Sequence, residues 1–196
     1  MSNGEPFTIK RATAVEICAH FNLEKSARRL LEDRMEPRGF VETLAANKQY
    51  LAAIEFVAHA LPAREAIWWG CLCLQHACGN DLPTSDRTAC KAAVRWVLEP
   101  TEKNRAAAKA PAEAAGPGSP AGALATAAHQ TGGSLAPPNL PPLPPEPFAP
   151  AKAVANAVKF ASLKGDPLRT TDRQRLFVEL GIGVSENRFS VRSFKL

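Results

Sequence analysis

The chain has 196 residues, 45% hydrophobic and 22% charged, which fits one globular domain with or without an appendage and excludes a disordered chain. No apolar run approaches the roughly 18 to 20 residues of a membrane span, and the opening MSNGEPFTIK lacks the apolar core of a secretory leader. The net charge of +5 comes entirely from residues 151–196, where nine basic face four acidic side chains, while residues 1–100 hold twelve of each and 101–150 three of each. A basic end of this density suits an acidic protein partner, an anionic surface or nucleic acid, and also an ordinary solvated face.

In chain order the first hundred residues predict short helices. TAVEICAHF spaces Val15, Cys18 and Phe21 at helical intervals, with Thr13 as cap. LEKSARRLLEDRM puts Leu23, Ala27, Leu30 and Leu31 on one face. Pro37 opens a helix carrying Phe40, Val41 and Leu44, and QYLAAIEFVAHALP carries Tyr50, Ile54, Val57 and Leu61. Pro62 suits the first turn of the next helix and Gly79 its end. TSDRTACKAAVRWVLEP follows, capped by Thr84 or Ser85.

Thr101 caps an alanine-rich helix that Pro111 must kink or break. SPAGALATAAHQTGG predicts another, whose alanine face packs closely but depends on its neighbours. PAKAVANAVKFASLKG aligns Val154, Val158 and Ala161, and TTDRQRLFVELGIG a last helix capped by Thr170 or Thr171. The expected fold is all-α: a compact multi-helix bundle, or a solenoid-like array of short antiparallel helices, with a proline-rich strap packed on it. Residues 1–131 form the helical body, 132–150 the strap, 151–184 helices docked on that body, and 185–196 a basic extended tail.

EAIWWGCLCLQHAC (65–78) gathers two tryptophans, three cysteines and a histidine. On a helical wheel Arg64, Glu65, Gln75 and His76 share one arc with Trp68 and Leu72, and apolar residues fill the remainder, which places this helix in mid-bundle. Cys71 and Cys78 lie seven residues apart, and Cys73 points about 160° from Cys71 on the same 100° spacing. Only Cys73 and His76 could share an ion, and tetrahedral zinc needs two more ligands. The segment reads as core, because buried cysteine behaves as a small hydrophobe. An odd count of five clustered cysteines is no disulfide framework, and a reducing cytosol suits it.

No phosphate loop, nucleophile elbow or calcium loop occurs. Glu55 with His59 and Glu16 with His20, each at i and i+4, are candidate acid/base pairs, but the favoured reading is ordinary surface pairs. SLAPPNLPPLPPEPFAP (134–150) lacks the backbone donors for helix or sheet and predicts polyproline II. Leu135, Leu140, Leu143 and Phe148 interleave its prolines, which favours a ribbon packed across the helices. The alternative is a P-x-x-P ligand for an SH3- or WW-like partner.

The segments FVETLAANKQYLAAIEFVAHALPAREAIWWGCLC (40–73), WVLEPTEKNRAAAKAPAEAAG (96–116) and GGSLAPPNLPPLPPEPFAPAKAVANAVKFAS (132–162) resemble an uncharacterised bacterial family of helical proteins, a domain of unknown function. Residues 1–10 and 185–196 lie outside the resemblance. Such proteins are associated with type VI secretion gene clusters, beside spike and PAAR-like components, so the resemblance implies an accessory, adaptor or loading role and supplies no catalytic residues.

The leading expectation is therefore a cytoplasmic, non-enzymatic adaptor or chaperone-like protein that binds a protein partner, without cofactor. Its contact residues are Arg169, Arg173, Arg175, Arg188, Phe189, Val191, Arg192, Phe194 and Lys195, the tail alternating so that it could add a strand to a partner's sheet. A tail folded back on its own helices is the bland alternative. The second expectation is a metal-dependent or thiol enzyme drawing ligands from Cys18, His20, His59, Cys73 and His76. The third is a weak nucleic-acid binder through the basic C-terminus, which lacks a stacking platform.

Overall fold

A computed structural model describes residues 13–79, 81–116, 118–136, 139–189 and 191. Its elements are α1 (Ala14–Cys18), α2 (Lys25–Arg28), α3 (Pro37–Ala46), α4 (Tyr50–Ala60), α5 (Ala63–Cys78), α6 (Thr84–Leu98), α7 (Glu102–Ala107), α8 (Lys109–Ala115), α9 (Pro120–His129), α10 (Ala149–Ser162) and α11 (Thr170–Ser185), with a 3-10 turn at Pro167–Arg169 before α11. The described residues contain no strand, and the all-α expectation holds.

The helix starts follow local chemistry. Thr13 closes a capping box on α1: its hydroxyl accepts from the Glu16 amide while the Glu16 carboxylate accepts from the Thr13 amide at 2.7 Å. Thr101 caps α7 and Ser119 caps α9 by the first half of this pattern alone, their hydroxyls accepting from the Asn104 and Gly122 amides. Pro111 does break the alanine-rich segment, but three residues early: the chain turns at Ala108, and Pro111 enters the first turn of α8, where its missing N–H is not needed. The expected threonine cap of α11 is replaced by Asp166, whose carboxylate accepts from Leu168 at 2.9 Å and starts the 3-10 turn that runs into α11.

α5 is the axis. Its residues Glu65 to Leu74 are all buried, and α4, α6, α9, α10 and α11 pack around it. Trp69 at its centre is fully buried and donates its indole N–H to the Phe177 carbonyl of α11 at 2.8 Å. Packing between elements far apart in sequence, α10 and α11 against α4 and α5, makes this a bundle and not a solenoid, where each unit meets only its neighbours.

Close approach is bought by small residues. A Cβ at Gly181 would lie 2.7 Å from Val57 and 3.2 Å from the Trp69 ring, so only glycine lets α11 seat against α4 and α5. The alanine face of α9 (Ala121, Leu124, Ala125, Ala128) meets that of α10 (Val154, Ala155, Val158, Ala161). Phe40 of α3 meets Phe56 of α4 edge to face at 5.0 Å, an arrangement that adds to the ~1.5 to 3 kcal/mol from burying each ring.

The strap departs from its expected course. Its start and end are anchored, but Leu140 and Leu143 are 55% and 58% exposed. The chain does not lie across the helices along its leucine edge. It makes a closed loop instead, in which the Leu135 amide donates to the Leu143 carbonyl at 2.8 Å. The cause is local: the Ser134 hydroxyl accepts from both Ala136 and Leu143, so the two limbs bind each other at the base.

Candidate functional site

The cysteine and histidine segment is core. Cys71 and Cys73 are fully buried, and Cys90 of α6 faces Cys71. The Cys90 thiol and burial hold Cys71 well above the ordinary thiol range, and burial does the same for Cys73. Burial raises Cys18 to about 11 and raises Cys78. Burial thus disfavours the thiolate form in these four, the form a nucleophile requires. Cys73 faces the interior while His76 is exposed, so the two do not converge. Among the described residues no group of three or more His, Cys, Asp or Glu side chains could hold a metal ion.

Both i, i+4 carboxylate and histidine pairs are divided by stronger partners. Glu16 is engaged by Thr13, and the His20 ring stacks on Phe148 at 3.9 Å. Glu55 forms an ion pair with Lys159 of α10, and its carboxylate lies 3.8 Å from His59 Nδ1. That nitrogen meets the Glu55 backbone carbonyl at 2.9 Å. A carbonyl only accepts, so Nδ1 carries the proton and Nε2 is left with its lone pair.

The C-terminal candidates divide between internal and external roles. Arg173 donates to the Ser162 carbonyl at 2.9 Å and the Asp166 carbonyl at 2.7 Å, capping the end of α10 with positive charge. Arg169 pairs with Asp172 at 3.4 Å and Arg188 with Glu186 at 2.7 Å, while Arg175 is exposed on α11. Phe189 folds back: its ring lies against Gly183 and its carbonyl accepts from the Trp68 indole at 3.4 Å. Val191 packs against the core. Arg192, Phe194 and Lys195 lie outside the described residues.

Two features stand out from the packed body. The first is the proline loop. Its base is held by Arg105, only 5% exposed, which forms a two-pronged pair with Glu102 (2.7 Å to each oxygen), donates to the His129 carbonyl, and reaches the Ser134 carbonyl at 3.5 Å. The guanidinium lies where a Cβ on Gly133 would sit, 2.6 Å from Nη2, and Gly133 has φ +64, so the TGGS turn must carry glycine there. Beyond this stem the leucines project into solvent.

The second is a cleft of about 280 Å³ between α1, the α4–α5 joint and the start of α10. Ile17, Ala58, Leu61 and Pro62 give it carbon walls, His20 and Phe148 border it, and His59 meets it without exposing its ring. His59 stacks on Phe21 at 4.6 Å and lies 6.2 Å from the Phe148 ring. Its side chain is fully buried, burial lowers its pKa, and Nε2 has no hydrogen-bond partner. Ala63 also lines the cleft, as the first residue of α5, whose N-terminus no side chain caps. The sequence puts His20 and His59 together among the candidate ligands of an enzyme and Phe148 in the strap; nothing in local spacing joins Phe148 to histidines some 90 to 130 positions away.

No helix among the described residues is long and apolar enough to cross a membrane. No curated protein and no solved structure matches the chain. Residues 40–185 match the model of DUF6931, a family of unknown function. These residues run from the second turn of α3 to the last residue of α11 and take in α5, the proline loop and the Phe148 anchor. The chain therefore belongs to the DUF6931 family.

Proposed function

We propose that the protein is a non-enzymatic helical adaptor that binds another protein, as an accessory of a bacterial type VI secretion spike or effector. The observation that supports this most directly is the proline loop. Leu140 and Leu143 are three residues apart, hence on one edge of a polyproline helix, and both stand in solvent on a hydrogen-bonded stem. A stiff apolar ridge loses little entropy when a partner's groove receives it. The secretion setting comes from the family resemblance, and Arg175 with the basic end adds charge for an acidic partner.

The test is capture by tagged full-length protein from its own cells, read by mass spectrometry, beside Leu140→Ser/Leu143→Ser and a deletion of 185–196. A spike or effector component retained by the unmodified chain and lost from the leucine variant, with an unchanged melting curve, is the expected result. Loss from the tail deletion instead would assign the contact to the C-terminus. An unmodified chain that retains nothing above the control overturns the adaptor reading.

A further inference from the structure

We infer that the proline loop is received by a groove paved with tryptophan and tyrosine rings on the partner, which takes Leu140–Pro141 and Leu143–Pro144 as two consecutive steps. The inference rests on the adaptor reading and names the chemistry of the partner's surface at the same loop.

The backbone is set by the prolines. Proline holds its own φ near −65° and drives the residue before it out of the helical region. Pro141, Pro142, Pro144, Pro145 and Pro147 therefore restrain every residue from Leu140 to Pro147, and residues 141–146 form no helix, strand or turn. A polyproline helix repeats every three residues at about 3.1 Å apiece. Leu140, Leu143 and Glu146 then share one edge, Pro141, Pro144 and Pro147 the next, and Pro142 and Pro145 the third. Pro145 is half-buried, whereas residues 139–144, Glu146 and Pro147 are exposed. The third edge is thus turned to the body at Pro145, and the other two face solvent. They carry two leucine–proline steps about 9 Å apart.

This bonding pattern excludes other modes of recognition. From Pro141 to Pro147 there are only two amide N–H groups, and that of Leu143 donates to the Ser134 hydroxyl at 3.1 Å. With its donors missing or taken, the segment cannot pair with a partner's strand. It offers carbonyl oxygens, which only accept, and compact rigid rings. Tyrosine and tryptophan supply both complements at once, an apolar ring face with an O–H or N–H donor at its edge. Rings standing side by side leave slots for successive leucine–proline steps, and a segment already extended on its stem loses little entropy in filling them. Glu146 adds a direction. It follows on the leucine edge, its side chain is 84% exposed, and it is only loosely paired with Lys152 at 3.9 Å, so a basic residue suits that end of the groove.

The probes are two isolated modules built on such grooves, an SH3 domain and a WW domain, each ¹⁵N-labelled and titrated with unlabelled full-length protein. Expected are saturable shifts at the groove rings, indole N–H included, in at least one module. Pro141→Ala/Pro144→Ala keeps both leucines and should weaken that binding about tenfold or more, while Pro142→Ala, on the edge turned to the body, should change it by less than about threefold. Both variants should melt as the unmodified chain does. No saturable shift in either module at millimolar protein, or equal losses from the two proline variants, overturns the groove. Capture from cells separates this from the adaptor reading. A partner lost with Leu140→Ser/Leu143→Ser but kept with Pro141→Ala/Pro144→Ala leaves the adaptor standing and removes the aromatic groove. A chain that captures nothing, while a module binds it through Pro141 and Pro144, overturns the adaptor and upholds the chemistry of the loop.

Discussion

Glu65 shows how one side chain can oppose the fold it belongs to. It lies in the first turn of α5, is 6% exposed, and its Oε2 has no hydrogen-bond partner. The helix N-terminus favours its charge, yet burial dominates and raises its pKa. The sign follows from proton counting. As pH rises through the carboxyl's unfolded value near 4.3 the unfolded chain loses its proton first, so folding weakens until the native carboxyl also ionises. Glu65→Gln should therefore raise the melting midpoint at pH 7 by roughly 2 °C and leave it unchanged below pH 4, checked by thermal unfolding at both. Single residues were unevenly legible in the sequence. Phe40, Val41 and Leu44 are all buried as their spacing implied, but Val15 is 39% exposed and α1 turns Ala14, Ile17 and Cys18 inward. Five residues are too few for periodicity to choose a face, and the capping box makes the choice instead.

At the scale of elements, helices were readable wherever a proline or a cap marks an end. Pro37, Pro62 and Gly79 sit at helix limits, and α3 to α6 occupy the expected stretches. The strap was not readable in the same way. Leucines between prolines imply burial by composition, whereas the hydroxyl of Ser134 ties the two limbs together and leaves the leucines outside. Arg105 decides where that loop stands. Arg105→Ala removes the pair with Glu102, leaves the half-buried His129 carbonyl without this donor and frees the Ser134 end. A loss of about 1 to 3 kcal/mol is expected in urea unfolding, with faster amide exchange at Leu135 and Leu143. Unchanged exchange there would show the stem standing without its clamp.

For the molecule as a whole, two histidines set an acid limit on stability. Burial lowers the pKa of both His59, between α1, α4 and α10, and His129 at the end of α9 beside Arg105. Below the unfolded value near 6.5 the unfolded chain binds protons that the folded chain refuses. Stability is then fully present above about pH 7 and declines as pH falls through 6.5 toward the lower native values. The urea midpoint should drop between pH 7.5 and 5.5, and the double variant His59→Gln/His129→Gln should flatten that drop. The all-α class was legible from helical spacing along the chain, and the central place of α5 from apolar residues around most of its circumference. The cleft was not, because it exists only once α10 returns across α1 and α4, and that return is fixed by packing among α5, α9 and α10.

The indole of Trp69 has one more consequence. It is sealed from water and hydrogen-bonded to α11, whereas its neighbour Trp68 holds the carbonyl of Phe189. Adjacent fluorophores thus look onto two different parts of the C-terminal segment. Chains retaining only one or the other would emit to the blue while their own contact is made and shift red when it opens, so the bundle carries a built-in optical gauge that separates release of its end from undocking of its last helix.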